Sequence, residues 1–338
     1  MIITKTPLRV SFLGGGTDYP DYFRQYGGQT IGAAIDKYSH VIVNSLAKLF
    51  DYTIRVSYSR TELVNNVNQI EHPAVRGCME FLGLDGYLEV HYVGDLPART
   101  GLGSSSSFTI GLLHALHAWR GDLVSPDQLA SEAVCVEQEL LRERVGVQDQ
   151  YTCAFGGLLH LRFHRDGSIQ SSPVTVSQER LSELQRYLML FYTGISRYAH
   201  QVLDEQIERT RLGMNSEGLS YLSNLVDQGI DVLTNSHPIE SFGELLHSAW
   251  ETKRQLSSKI SNAAIDEYYE RARRAGAIGG KLLGAGGGGF LLLMAHPSDQ
   301  ASVEHALRDL PRVDFAFDRS GSTLVFGQPT SNKVLAFA

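Results

Sequence analysis

Four groups of residues have the types and spacing to handle an anionic ligand. The first is the run Pro97-Ala98-Arg99-Thr100-Gly101-Leu102-Gly103-Ser104-Ser105-Ser106-Ser107. Its glycines let the backbone approach an anion closely, and its serines stand where a helix begins. A helix start offers unpaired N–H groups and positive dipole, so the run reads as a phosphate cradle in which a serine hydroxyl can add a donor or reach magnesium. An ordinary serine-capped turn has the same composition. The second group is Glu137, Glu139 and Glu143, followed by Asp149 in Val145-Gly146-Val147-Gln148-Asp149-Gln150. A solvated helix face accounts for most of the glutamates, but Asp149 falls outside the helical pattern and surface solvation explains it poorly. The third is Arg9 with Asp18, which meet in one cleft if the loop after residue 13 folds back over its strand. The fourth is Thr193-Gly194-Ile195-Ser196-Arg197, a capping turn or a second anion site with Arg197 as its cation.

The elements that must hold these groups follow from periodicity. Residues 2–13 alternate as a strand and break at Gly14-Gly15-Gly16-Thr17-Asp18-Tyr19-Pro20. Further strands are expected over 38–46, 52–58, 88–93 and 156–163, with a helix over 72–82. The cradle leads into a helix marked by Phe108, Leu112 and Leu116. Ser125-Pro126-Asp127-Gln128 opens another, whose buried face is Leu129, Ala133, Val136 and Leu140. A buried strand at 188–192 starts a helix-rich region with helices over 197–211, 217–234, 240–261 and 263–275. Strands at 290–295 and 322–327 close it. This is an α+β chain of two domains, 1–185 and 186–338.

A chain of 338 residues with 43% hydrophobic and 20% charged residues suits two globular cores. Its net charge of −7 argues against nucleic acid or an anionic membrane as partner, while leaving room for a local basic pocket. No apolar stretch is long enough to span a bilayer, and Met1 to Pro7 lacks a secretion core. Cys78, Cys135 and Cys153 form no pairing or zinc pattern, so a reducing cytoplasm is the expected location. Gly284, Gly286 and Gly289 match the spacing of a dinucleotide fingerprint, but that needs a strand before and a helix after, whereas here a helix is expected before and a strand after. P-loop and protein-kinase signatures are absent.

Three motifs in order, Pro7-Leu8-Arg9-Val10-Ser11-Phe12-Leu13-Gly14-Gly15-Gly16-Thr17-Asp18-Tyr19, the Gly-Leu-Gly-Ser-Ser-Ser run and the glycine-rich stretch after Lys281, resemble the GHMP kinases over nearly the whole chain. The resemblance implies an N-terminal domain like ribosomal protein S5 domain 2, a ferredoxin-like C-terminal domain, and ATP with substrate in the cleft between. It implies that Pro97, Gly101, Leu102, Gly103, Ser104, Ser105, Ser106 and Ser107 wrap the ATP phosphates. Ser105 (Ser104 or Ser106 if the register slips by one) and Glu137 would hold Mg2+. By the same resemblance Asp149 would be the catalytic aspartate and Arg9 its basic partner, and Gly15, Gly16, Thr17, Asp18, Tyr19, Gly286 and Gly287 would border the substrate. Galactokinases carry an acidic residue and a histidine where Gly15 and Gly16 stand, so a larger sugar fits better here. Tyr-Thr-Gly-Ile-Ser-Arg and Trp-x-x-Lys-Arg-x-Leu-Ser are similar to the bacterial D-glycero-D-manno-heptose 7-phosphate 1-kinases, which serve surface polysaccharide. Arg197 is then the first candidate for the sugar's phosphate, with Lys5, Arg24, Arg99 and Lys253 as alternatives. A fucokinase-like hexose kinase and a catalytically silent sugar sensor stay open, as does a homodimer.

Overall fold

The computed structural model describes residues 1–195 and 199–327. The first half is built on a mixed eight-stranded sheet in the order β11 (Thr323–Phe326), β1 (Ile2–Leu13), β2 (Gly28–Ser45), β5 (Leu88–Gly94), β3 (Ile54–Ser57), β4 (Thr61–Val64). From β2 branches β6 (Leu158–Phe163), which carries β7 (Ile169–Pro173). Strand β2 covers far more than the expected 38–46. Its first part is made of small residues buried on both faces, so it shows no alternation to read; a Cβ on Gly32 would lie 2.9 Å from the Val10 carbonyl oxygen.

Helices α2 (Pro73–Phe81), α3 (Ser104–Arg120), α4 (Pro126–Val134) and α5 (Gln148–Phe155) cover one face and share a core with Val41, Val43 and Val90. The opposite face packs Leu8, Val10 and Phe12 against the second half of the chain. The register of β1 shifts between Pro7 and Leu8. Before this bulge Thr4 and Thr6 approach α3; after it the odd positions, Arg9 and Ser11, take that side. A bulge exchanges the faces of a strand in this way, and it is why an arginine can enter the helical side while Leu8 and Val10 enter the core.

The second half has a three-stranded antiparallel sheet, β8 (Leu188–Tyr192), β10 (Phe290–Ala295) and β9 (Ala277–Leu282). The segment 311–313 runs beside β8 through Tyr192 N–H to Pro311 O and Val313 N–H to Leu190 O, both 2.9 Å. Around it lie α6 (Gln178–Tyr187), α7 (Ala199–Arg211), α8 (Ser216–Thr234), α9 (Glu240–Lys253), α10 (Ala263–Arg274) and α11 (Gln300–Ala306), while α1 (Pro20–Tyr26) follows the first loop. The helix expected over 240–261 ends at Lys253, and a turn brings the chain to Asn262, whose side chain caps α10 through Ala264 and Ile265 N–H. The glycine-rich stretch is preceded by strand β9 rather than by a helix, a correction caused by two glycines that hide the strand pattern. It is the loop of a β-hairpin, and with a strand following, the dinucleotide reading fails on that side alone.

This hairpin loop meets the cradle main chain to main chain. Phe290 N–H donates to Thr100 O at 3.1 Å. A Cβ on Gly289 would stand 2.3 Å from Thr100 O, and one on Gly284 2.5 Å from Gly101 Cα; both glycines have positive φ. Among the described residues no helix is long and apolar enough to cross a membrane.

Gly284→Ala should therefore lower stability by about 2 kcal/mol or more, through a backbone clash and a strained φ. Gly15→Ala, whose Cβ would meet nothing closer than 3.5 Å, should change it by less than about 0.5 kcal/mol. Urea denaturation midpoints of the two variants check the contrast.

Candidate active site

Arg9 projects from β1 beneath the cradle and is 3% exposed. Its Nε and Nη2 donate to the two carboxylate oxygens of Asp149 at 2.8 and 2.7 Å, and its Nη1 donates to Gly101 O at 2.6 Å. Burial works against the guanidinium's charge, yet the Asp149 carboxylate beside it holds its pKa above the ordinary value. Asp149 is the second residue of α5, so the strand, the cradle and the helix meet at one fork-shaped contact. Next to it, Ser11 Oγ donates to Gln148 Oε1 at 2.9 Å.

The cradle turns through left-handed Arg99, Gly101 and Gly103 into the first turn of α3, for which Gly103 is the N-cap. Four consecutive serines face four ways because successive helical residues rotate by about 100°. Ser104 Oγ accepts Arg99 N–H at 3.3 Å and Ser107 Oγ donates to Thr6 O at 3.0 Å, so these two fasten the loop. Ser105 is exposed. The hydroxyl beside Glu137 is that of Ser106, which donates to Oε2 at 3.0 Å; of the three registers open in the sequence, the one-residue slip to Ser106 is the one that meets Glu137, and Ser105 does not. Leu102 is fully buried and Pro97 O accepts the Thr100 hydroxyl, so both shape the loop.

Glu137 lies in a π-helical turn, Cys135–Leu140, that continues α4 and points the carboxylate inward. It is 1% exposed; Gln150 Nε2 donates to Oε2, whereas Oε1 has no hydrogen-bond partner among the described residues. The Thr109 hydroxyl nearby donates to Ser105 O instead. Burial pushes the Glu137 carboxyl up to about 7, against the pull of the hydrogen bonds from Gln150 and Ser106 and with a small push from Glu143. A buried acceptor with an open oxygen beside a hydroxyl suits a hard cation that keeps its other positions for water and phosphate.

The 14–18 loop latches onto the segment before α5. Asp18 is 1% exposed and accepts Gly16 N–H at 2.9 Å, and a Cβ on Gly146 would fall 1.8 Å from its Oδ2. Burial raises its pKa, with Asp149 adding and the amides of Gly16 and Gln148 opposing. Thr17 spends its hydroxyl on Gly14 O and Gln29 O. Tyr19 caps α1 through its carbonyl. The space above Gly16 is filled by Leu219 and Gln206, which lie 3.0 and 3.2 Å from where a Cβ would stand, whereas a Cβ on Gly15 would meet nothing closer than Ser11 Oγ at 3.5 Å.

Gly286 and Gly287, expected at the substrate, instead dock on Ile260: Gly287 N–H donates to its carbonyl at 2.9 Å. Gly284 and Gly289 are the glycines that reach the cradle. Arg197 lies outside the described residues. Lys281, which sequence reasoning missed, is 3% exposed and donates to Phe12 O at 2.8 Å; Lys253, named only as an alternative, is 7% exposed and donates to Gly284 O at 2.6 Å. A single lysine inside the apolar run 277–283 was the available signal.

Residues 74–157 match the sequence profile of the GHMP kinases N terminal domain, and residues 232–312 that of the GHMP kinases C terminal domain. The chain is 28% identical to a D-glycero-alpha-D-manno-heptose 7-phosphate kinase of Campylobacter jejuni over 95% of this chain and 97% of that protein. It is 24% identical to a galactokinase of Pyrococcus furiosus over 90% and 92%. The crystal structure of a D-glycero-D-manno-heptose 1-phosphate kinase from Bacteroides thetaiotaomicron superposes with a TM-score of 0.79 at 22% identity, covering 97% of this chain and 99% of that one, which establishes the shared fold.

Because the folded chain keeps the Glu137 proton between its ordinary value of 4.5 and about 7 while the unfolded chain has released it, stability should fall as pH rises through that window. The loss is on the order of 3 kcal/mol. Glu137→Gln should flatten this slope, as measured by urea unfolding at a series of pH values without added cation; an unchanged slope would remove the burial of Glu137 as its cause.

Proposed function

Since the chain belongs to the GHMP kinase family and is an ATP-dependent sugar kinase, we propose that it transfers the γ-phosphoryl group of ATP to the anomeric O1 of D-glycero-D-manno-heptose 7-phosphate. The observation that carries the transfer chemistry is the two-bond Arg9–Asp149 pair set at the mouth of the cradle. The length-spanning similarity to a heptose 7-phosphate kinase supports the choice of sugar.

In this reading the first turn of α3, with Gly101 and Gly103, receives the triphosphate. Ser106 and Glu137 are the residues that would hold Mg2+, which when bound neutralises phosphate charge. Asp149 accepts a hydrogen bond from the anomeric hydroxyl and takes its proton as the new O–P bond forms, while the leaving oxygen stays on ADP. A loose transition state needs alignment of the nucleophile more than early deprotonation. Arg9 holds the Asp149 carboxylate in one plane and places positive charge beside the transferring group. Ser105, exposed beside Ser106, is left for phosphate contact. The product, a 1,7-bisphosphate, suits a route to nucleotide-activated heptose for surface polysaccharide, in the cytoplasm. The chain divides for these tasks into an ATP-binding lobe, 1–185, and a second lobe from 186 onward, with the correction that the chain returns at β11 (Thr323–Phe326) to the edge of the first lobe's sheet.

A panel of sugars and sugar phosphates with product analysis by NMR tests the substrate; phosphorylation of fucose or galactose in preference to heptose 7-phosphate would replace it. Asp149→Asn should keep ATP affinity within about three-fold and cut kcat by about 10³-fold or more, because loss of a proton acceptor acts in the transition state. Nucleotide titration followed by single-turnover kinetics measures both, and a variant of full activity would remove Asp149 from the reaction.

A further inference from the structure

Phosphoryl transfer leaves the niche beside Gly15 without a task. A Cβ on Gly15 would stand 3.5 Å from Ser11 Oγ, 3.8 Å from Gln148 Nε2 and 3.9 Å from Lys281 Nζ, so three polar groups converge where this residue has no side chain. Ser11 donates to Gln148 Oε1, which turns the amide so that its N–H₂ faces the niche. The Lys281 ammonium gives one hydrogen to Phe12 O and has no other protein acceptor among the described residues, and Lys253 behind it gives one to Gly284 O. Neither lysine is in a salt bridge among the described residues; Arg9 is already matched by Asp149. Asp18 is the acid that offsets the two ammonium groups in part.

Lys253, Lys281 and Arg9 share their surroundings with two acids, Asp18 and Asp149, so one positive charge is left over; burial first, and the neighbouring cations after it, pull the Lys253 pKa down to about 8 and that of Lys281 well below the lysine range. Such charge persists inside a protein when an anion completes it. We infer that Lys281, Gln148 and Ser11, with Lys253 behind them, form a subsite for the terminal phosphate of the acceptor sugar, opened by the missing side chain of Gly15. The inference rests on the phosphorylated-sugar reading above. Its spacing agrees: Arg9, which marks the reacting end, and Ser11, which marks the niche, are two residues apart on one strand face, about 7 Å, comparable to the reach from an anomeric hydroxyl to a phosphate at the far end of a seven-carbon pyranose.

The experiment compares wild type, Lys281→Met, Lys281→Arg and Gly15→Glu in two assays. In steady-state kinetics Lys281→Met should raise KM for heptose 7-phosphate about ten-fold or more with a smaller change in kcat, and its preference for that sugar over unphosphorylated heptose should collapse by the same factor. Lys281→Arg should recover part of it. In calorimetric titration with inorganic phosphate, wild type should bind and Lys281→Met should not. If Lys281→Met melts before assay temperature, Gly15→Glu, which sets a carboxylate beside Lys281 and leaves the lysine in place, should give the same losses. Retained preference and retained phosphate affinity in the folded variants would overturn the subsite. A wild type with no preference for the phosphorylated sugar would remove the substrate reading alone, while phosphate binding that depends on Lys281 would still support the niche as an anion site.

Discussion

One guanidinium ties the active site together. Arg9 leaves the central sheet, gives two bonds to a helix residue and one to the cradle, and so fixes three elements that arrive from separate parts of the chain. A planar fork of donors is suited to this because its bonds fix direction as well as distance, which a lysine ammonium does not. The Asp149 carboxylate therefore has its orientation set by the fold itself. Removing Asp149 would leave the buried charge of Arg9 uncompensated, so the pair is also a constraint on folding.

The neighbouring glycines answer a second constraint, which is space. Main chain from the hairpin loop lies directly on main chain of the cradle, and Gly146 sits against the Asp18 carboxylate, at distances where a Cβ does not fit. Close approach of this kind holds the cradle and the hairpin loop together main chain to main chain. It also explains why the glycine-rich stretch ends in a strand: Phe290 N–H, the first residue of β10, is the group that reaches back to Thr100 O.

Much of this was legible in the residues. Asp149 and the cradle stood out because each breaks the pattern of its surroundings or joins a spacing with chemical meaning, whereas Arg9 and Glu137 were singled out only by the resemblance of the three motifs to the GHMP kinases. What stayed hidden had physical causes. Four identical serines carry no mark of helical phase, so only the backbone reveals that Ser106 turns toward Glu137 while Ser105 faces out. The glycines of the hairpin loop are likewise interchangeable in sequence, and whether one meets Ile260 or Gly101 depends on the path of the loop. Lys281 hid in a strand masked by Gly279 and Gly280. The first part of β2 was missed because burial on both faces erases alternation.

The irregular step between Pro7 and Leu8 has a bearing on how related chains are compared. Counting along β1 without it assigns Arg9 to the greasy side of the sheet and Leu8 to the reactive side, an inversion of the real arrangement. Two homologues that differ by one residue ahead of this point can thus keep the same chemistry if the extra residue is absorbed there, whereas the same difference after it would turn the cleft inside out. Parity along the strand, rather than identity at any one column of an alignment, is the property that such a sequence has to conserve.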